Sequence, residues 1–339
     1  MSAPEQTAIV PIGTTFDNFG GRIKGEREER LDMAKRRLST GVKFLDDALG
    51  GISQRDIILL GAKTGIGKTT LASIIAETNA EAGKHVHYFA LEAEDKEIER
   101  RIKFRILSRL AYQRSVARFA KGRINYLDWY NGHLEGVFGA WEGEADKALA
   151  ERYKTLHTYY RIRSFTAADL ERTFLSIQDQ TDLIILDHLH MVDHEEGDDN
   201  RGVKRIIMAL RDAALEVGKP VVLVAHLRKT DRRNRCLIPD LDDFHGTSEI
   251  SKLVTKAILL APAYDQESSS SKWQTYIHPA KCRQDGTRTR YVGLVPFDAQ
   301  TGRYQDGYDV GQMVDNGETF KILDGRDDKY PSWAVNDER

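Results

Sequence analysis

The residues best equipped for chemistry lie in Ile57-Ile-Leu-Leu-Gly-Ala62-Lys63-Thr64-Gly65-Ile66-Gly67-Lys68-Thr69-Thr70-Leu71. An apolar run enters a loop holding Gly65 and Gly67, and a helix over Thr69 to Ala82 follows, which is the context a phosphate-binding loop requires. Ala62 stands where the motif has its first glycine. Gly65 and Gly67 still let backbone N–H groups approach a phosphate chain, and the helix N-terminus adds its positive end. Residues Ala62 to Thr70 therefore form the candidate nucleotide cradle. Lys68 would reach the β and γ phosphates, and the Thr69 hydroxyl would coordinate Mg²⁺. A glycine turn capped by Thr69 would explain the turn alone, without the lysine, the preceding strand and the following helix.

Phosphoryl chemistry also needs carboxylates at neighbouring strand ends. Thr181-Asp-Leu-Ile-Ile-Leu-Asp187 ends an apolar run in Asp187, which reads as the metal-binding aspartate; capping of the next turn is the plainer role. Val86-His-Tyr-Phe-Ala-Leu-Glu92 ends another run in Glu92, a candidate base to orient water. Glu92, Glu94 and Asp95 also suit the N-terminus of a following helix, and Asp95 is assigned to that.

These residues require strands that end together. The apolar runs Ile57–Leu60, Val86–Leu91, Leu183–Leu186, Val221–Ala225 and Ala257–Ala261 are short and unalternating, as in strands buried on both faces of a mostly parallel sheet. Helices separate them, the clearest carrying Val203, Ile206, Ile207, Leu210, Ala213, Ala214 and Val217 on one stripe before Gly218 and Pro220. The fold class is thus α/β, helices flanking a mostly parallel sheet. Thr275–Ala280 and Tyr291–Pro296 add a C-terminal antiparallel hairpin around Gln284–Thr287.

The chain has 339 residues, 50 Lys plus Arg against 52 Asp plus Glu, a net charge of −2, 40% hydrophobic and 30% charged residues. That balance excludes a uniformly basic nucleic-acid coat, a disordered chain and a collagen-like one. Lacking a secretory leader or an 18-residue apolar run, the sequence reads as cytoplasmic, with no membrane partner. Two cysteines, Cys236 and Cys282, are too few for a four-cysteine zinc site and read as reduced thiols. Nine basic and no acidic residues lie between Arg100 and Asn125, read as a solvated helix face or subunit contact, with a phosphate-binding surface as the sharper alternative. A second basic cluster comprises Arg228, Lys229, Arg232, Arg233 and Arg235. Residues 306–339, with nine acidic and four basic residues, read as an acidic, partly mobile tail.

The order and content of these segments resemble the RecA-like motor domain of the DnaB-type replicative helicases, closest in motifs to the Twinkle and phage primase-helicase branch. The resemblance runs from about Leu38 to Tyr304. Ser39-Thr-Gly41-Val-Lys-Phe-Leu45-Asp46-Asp-Ala-Leu-Gly50-Gly51 is similar to the family's lead-in, and Phe89-Ala-Leu-Glu92 to its catalytic-glutamate strand. Lys219-Pro-Val-Val-Leu-Val-Ala-His226-Leu-Arg228-Lys resembles the sensor strand, which implies His226 as γ-phosphate sensor. Lys281-Cys282-Arg283 resembles the segment from which a neighbouring subunit inserts a lysine and an arginine finger. Asp242-Asp243-Phe244-His245-Gly246-Thr247-Ser248-Glu249-Ile250 falls where the family has its DNA-backbone loop, with His245 in the usual arginine position and Ser248 in a glycine position.

The resemblance implies catalytic roles for Lys68, Glu92, His226, Lys281 and Arg283, metal ligation by Thr69 and Asp187, and strand contact by His245, Gly246, Thr247 and Ser248 beside the Arg228–Arg235 cluster. It further implies ATP and Mg²⁺ as cofactors and a homo-oligomeric, hexameric ring. The organisation expected is an N-terminal arm over 1–37 as a subunit-docking segment, a motor domain over 38–305 with an insertion at about 107–160, and the tail. About 40 residues precede the motor, too few for an N-terminal helical domain or a fused primase, so a separate primase or loader would be the partner. The function expected is a ring ATPase translocating on single-stranded DNA, with RNA as the alternative strand. A RecA- or KaiC-like regulatory ATPase that assembles on ATP without translocating, and a strand-pairing recombinase filament, are the competing readings. Trp129, Tyr130, Phe138 and Trp141 in the insertion read as packing, and His188, His190 and His194 as strand and loop residues.

Overall fold

A computed structural model describes residues 16–114, 124–161, 166–192, 199–227, 237–244, 252–263, 272–298, 301–326 and 329–334. The chain divides into two compact units between Arg37 and Leu38. The first contains helix α1 (Phe16–Lys35). The second opens with α2 (Lys43–Leu49), β1 (Ile57–Ala62), α3 (Lys68–Glu81), β2 (Val86–Ala90) and α4 (Glu97–Gln113). Then come α5 (Tyr126–Tyr130), α6 (Glu135–Phe138), α7 (Glu142–Arg152), β3 (Leu156–Tyr160), α8 (Ala167–Ile177), β4 (Leu183–Asp187), α9 (Asp199–Val217) and β5 (Val221–His226). The antiparallel part follows as β6 (Lys256–Ala263), β7 (Lys272–Cys282), β8 (Val292–Asp298), β9 (Arg303–Tyr304), β10 (Asp309–Val314) and β11 (Thr319–Ile322).

All these strands join one 11-stranded sheet in the order β11-β10-β8-β7-β6-β1-β5-β4-β2-β3, with β9 on β8. From β3 across to β6 the pairs are parallel, and from β6 to β11 antiparallel. Each apolar run of the sequence became a strand because both sheet faces are covered. Ile58, Leu60 and Ala62 enter one core, Ile57 and Leu59 the other. In α9 the stripe Ile206, Ile207, Leu210, Ala213 and Ala214 is buried, and Gly218 at φ 72° lets the chain leave the helix left-handed. The expected hairpin is β7–β8, joined through a 3₁₀ turn at Gly286–Arg290. At mid-sheet the Phe244 ring lies where a β-carbon on Gly61 would sit, 2.2 Å away, so only glycine fits under it.

The segment from 124 to 160 packs as the aromatics suggest. Phe138 is fully buried, and Phe104 of α4 meets the rings of Tyr126, Trp129 and Phe138 at 5.6, 5.8 and 6.3 Å. The segment also delivers β3, the far edge strand, which its polar, half-exposed sequence did not announce. Its acidic residues change the meaning of the basic block. Lys103 lies between Glu142 and Asp146, Arg114 bonds Glu144 at 2.7 Å, and Arg101 bonds Glu97. Arg105 is buried against Glu77 of α3, which also receives Arg303 at 2.8 Å. Arg101, Lys103, Arg105 and Arg114 of the block are thus paired within the chain, while Arg118, Lys121 and Arg123 lie outside the described residues.

The C-terminal residues also depart from expectation. β10 pairs with β8 and β11 with β10; Val310 is buried; and Tyr308 donates to Asp47 at 2.6 Å while its ring meets Phe44 at 5.2 Å. Trp333 packs on Phe44 and under Arg288. Strands of six and four residues with one exposed face are too short to leave a clear period, which hid them in the sequence.

A buried ion pair joins the start of β1 to β6: Lys256 Nζ lies 2.7 Å from Asp56, with side chains 1% and 2% exposed, and also donates to the Gly51 carbonyl. Asp56 further accepts from Thr255 Oγ1 at 2.8 Å and the Ser53 amide at 2.8 Å. Removing the lysine strands a buried carboxylate, so Lys256→Met is expected to destabilise the fold by about 3–5 kcal/mol. Denaturant unfolding of that variant against the wild type checks it.

Candidate functional site

β1 ends at Ala62 and α3 begins at Lys68, so the intervening turn is short and tight. Gly65 and Gly67 have φ of 83° and 105°, conformations that only glycine adopts without strain. Lys68 folds back over this loop, its Nζ donating to the Ala62 carbonyl at 3.1 Å and the Lys63 carbonyl at 3.3 Å. Burial lowers the pKa of this ammonium, and the charges of Asp187 and Glu92 raise it. Ala62, Lys63, Thr64, Gly65, Ile66, Gly67, Lys68, Thr69 and Thr70 thus form one continuous turn and helix start, as their spacing requires.

Asp187 ends β4, two strands from β1. Its carboxylate is buried, and Oδ2 accepts the hydroxyl of Tyr88, a fully buried β2 residue, at 2.8 Å. Burial raises the Asp187 pKa, while the Tyr88 and Thr69 hydroxyls and the Lys68 charge pull it down. Oδ1 is buried and has no hydrogen-bond partner among the described residues. A carboxylate oxygen left open beside the Thr69 hydroxyl is the hard-oxygen donor set that suits Mg²⁺.

Glu92 follows β2, where the Leu91 amide donates to the Asp187 carbonyl at 2.6 Å and sets that strand end against β4. Its side chain is half exposed, and its Oε2 lies 3.8 Å from Nε2 of His226, the last residue of β5. The His226 ring stacks on His188 with centroids 3.8 Å apart, and His190 stands 5.1 Å from His188. His188 is buried, and burial, reinforced by the charges of His226, His190 and Lys68, lowers its pKa to about 2, so it is neutral. The sequence reading left His188 among ordinary strand and loop residues. In the fold, ligand-capable atoms of Glu92, His188 and His226 all lie within 4.8 Å of one another. Tyr88 escaped sequence reasoning because nothing local shows which face a strand residue takes, and His188, weighed there with His190 and His194 as a metal cluster and set aside, meets Glu92 and His226 only through strand order.

Lys281 and Arg283 occupy the other end of the sheet. β7 runs antiparallel to β6, so Lys281 pairs with Ala257 and Cys282 with Lys256, level with the start of β1 at Ile58. Arg283 is fixed there by its amide, which donates to the Thr255 carbonyl at 2.9 Å. Burial and the charges of Arg283 and Arg211 lower the Lys281 ammonium; Arg211, on α9, is a cation the sequence reading did not single out. Within one chain Lys281 is thus level with Leu59 and Arg283 stands beyond it toward Ile57, while Ala62 and His226 lie at the other end of β1. Arg228, Lys229, Arg232, Arg233, Arg235, His245, Gly246, Thr247 and Ser248 lie outside the described residues, as does His194. The residues just before the two candidate strand-contact segments, Leu227 and Phe244, form an antiparallel bridge.

A mostly parallel sheet flanked by helices, with a phosphate-binding turn after its central strand, defines a RecA-like P-loop NTPase fold. Residues 37–306 match the family described as DnaB-like helicase C terminal domain, and the chain belongs to that family. It carries a replicative-helicase-type ATPase domain. No curated protein matches the sequence. Among solved structures, a DnaB-like replicative helicase studied with its interactions with primase is 14% identical, with a TM-score of 0.64 over 91% of this chain and 68% of that one. A structure described as an ATPase domain is 15% identical, with a TM-score of 0.57 over 93% of this chain and 100% of that one. At these identities the structural likeness speaks for the fold. Among the described residues no helix is long and apolar enough to cross a membrane.

The Tyr88–Asp187 bond is the buried contact that aims the carboxylate. Tyr88→Phe removes only the donor, and is expected to cost about 1.5–3 kcal/mol, as for a hydrogen bond to a charged group. Urea unfolding at neutral pH, with near-native circular dichroism as the control, measures it.

Proposed function

We propose that this chain is an ATP-hydrolysing motor that works as a homo-oligomeric, hexameric ring and translocates on single-stranded DNA. The observation that carries the reading is the convergence of Lys68, Asp187, Glu92 and His226 at the C-terminal ends of β1, β4, β2 and β5. ATP is the substrate that such a set of donors, sensor and base would serve. The loop amides and Lys68 hold the phosphate chain, and Lys68 leaves its own carbonyl partners to do so. Glu92 takes a proton from the water that attacks the γ-phosphorus as the bond to the bridging oxygen breaks. His226, at hydrogen-bonding range of an incoming phosphate oxygen, reports the γ-phosphate to the strand-contact segment that directly follows it. Asp187 and Thr69 would hold Mg²⁺, which when bound neutralises charge on the β and γ phosphates.

The position of Lys281 and Arg283 supports assembly. They lie toward the start of β1, away from the turn that follows its end, and in a ring they would serve a neighbouring copy's nucleotide. Cations arriving in trans stabilise the charge of the transition state, worth about 10³–10⁵ in rate in phosphoryl transfer. Arg228–Arg235 and His245–Ser248 are the proposed strand contacts, tracking the backbone without reading bases. A primase or loader on a separate chain would complete such a motor.

Steady-state ATP hydrolysis with and without single-stranded DNA is the direct test. Strong stimulation by the strand is expected, with activity lost in Lys68→Ala. Hydrolysis indifferent to both DNA and RNA would favour a regulatory ATPase that assembles without translocating. Arg283→Ala is expected to lower kcat by about 10³-fold or more while nucleotide binding stays intact. Near-normal turnover in that variant would remove the trans finger.

A further inference from the structure

Three side chains from three strand ends converge beside the nucleotide turn, and their chemistry differs from that of the oxygen donors at Asp187 and Thr69. Glu92 offers a carboxylate oxygen, His188 and His226 offer imidazole nitrogens, and the ligand-capable atoms lie within 4.8 Å of one another. His188 is only 1% exposed, yet its Nε2 has no hydrogen-bond partner among the described residues. A buried nitrogen left open in a well-packed strand end calls for a ligand. Its other ring nitrogen, Nδ1, accepts from the His190 backbone amide at 3.4 Å and lies 3.3 Å from His190 Nδ1, where it can donate or accept according to the tautomer. Coordination through Nε2 needs the proton on Nδ1, which exchanges the long amide contact for a bond donated to His190 Nδ1. This is the arrangement in which a metal-bound histidine is oriented by a second residue. The stack of His188 on His226 holds both rings in place, and Glu92, half exposed, has the freedom to close.

We propose that, in the nucleotide-free chain, Glu92, His188 and His226 form a binding site for a transition-metal cation of the zinc class. Two imidazoles and one carboxylate are the donor set of an open zinc site, which keeps a fourth position for water. Mg²⁺ prefers oxygen ligands in octahedral geometry and competes poorly for it. Lys68 is tied to the Ala62 and Lys63 carbonyls and so is turned to its own loop. The site stands on this geometry and not on the ATPase reading, although it borrows Glu92 and His226 from that machinery.

The test is metal binding by the full-length chain without nucleotide, in excess Mg²⁺. Zn²⁺ is titrated against a chromophoric chelator, and Co²⁺ is used as the spectroscopic probe. One equivalent of Zn²⁺ is expected, with Co²⁺ giving the strong visible bands of four-coordinate geometry. His188→Gln and His226→Gln should each weaken binding by at least about tenfold, since even an outer partner of a metal ligand is worth that much. They should also abolish the Co²⁺ bands, with circular dichroism confirming that each variant is folded. His157→Gln, in the separate ring stack with His85 and His87, should bind as wild type does. Three results would overturn the site: no saturable Zn²⁺ binding, binding undiminished in both folded variants, or binding lost only in His157→Gln.

Discussion

Parallel strands carry all their C-terminal ends to one edge of a sheet, and every chemical feature at the nucleotide turn depends on that constraint. β1, β2, β4 and β5 lie side by side, so Ala62 ends level with His226, Asp187 ends level with Ala90, and Glu92 follows close by. No one of these residues could assemble the site from its own neighbours in sequence. The same rule places Lys281 and Arg283 at the opposite edge, because β7 runs back along β6.

Holding that edge in register means burying charge inside the fold. Asp187 is kept in place by Tyr88 beneath it, and Asp56 and Lys256 lock the start of β1 to β6. Glu77, fully buried on α3, gathers Arg105 from α4 and Arg303 from β9, and so ties the helix that begins at the phosphate turn to the antiparallel half of the sheet. Such groups are weak evidence for stability, since desolvation offsets much of their attraction. Their evident product here is position: each joins elements that apolar packing alone would let slide.

Much of the site could be read in advance. Gly65, Gly67, Lys68 and Thr69 form a local pattern, and Asp187, Glu92 and His226 each close an apolar run, so strand ends and candidate ligands were visible together. The pairing of Lys103, Arg105 and Arg114 was hidden because their partners Glu77, Glu142, Glu144 and Asp146 lie 28 to 43 positions away, beyond any local count of charge. The C-terminal strands β10 and β11 were missed for a different reason. Their apolar residues are few, and what makes them strands is the open edge of β8.

The amino-acid sequence by itself determined the alternation of strands and helices, the phosphate-binding turn and the polar residues Glu92, Asp187 and His226 that close three of the apolar runs, because these rest on local periodicity and on the conformational freedom of glycine. Only the tertiary structure decided which strand lies beside which, and hence that Tyr88 supports Asp187, that His188 stacks on His226, and that Lys281 and Arg283 are placed toward the start of β1 and not beside the turn that follows it. Those outcomes depend on strand order and direction, which the chain acquires when both faces of the sheet are buried at once, and a single stretch of residues carries no record of its neighbours in space.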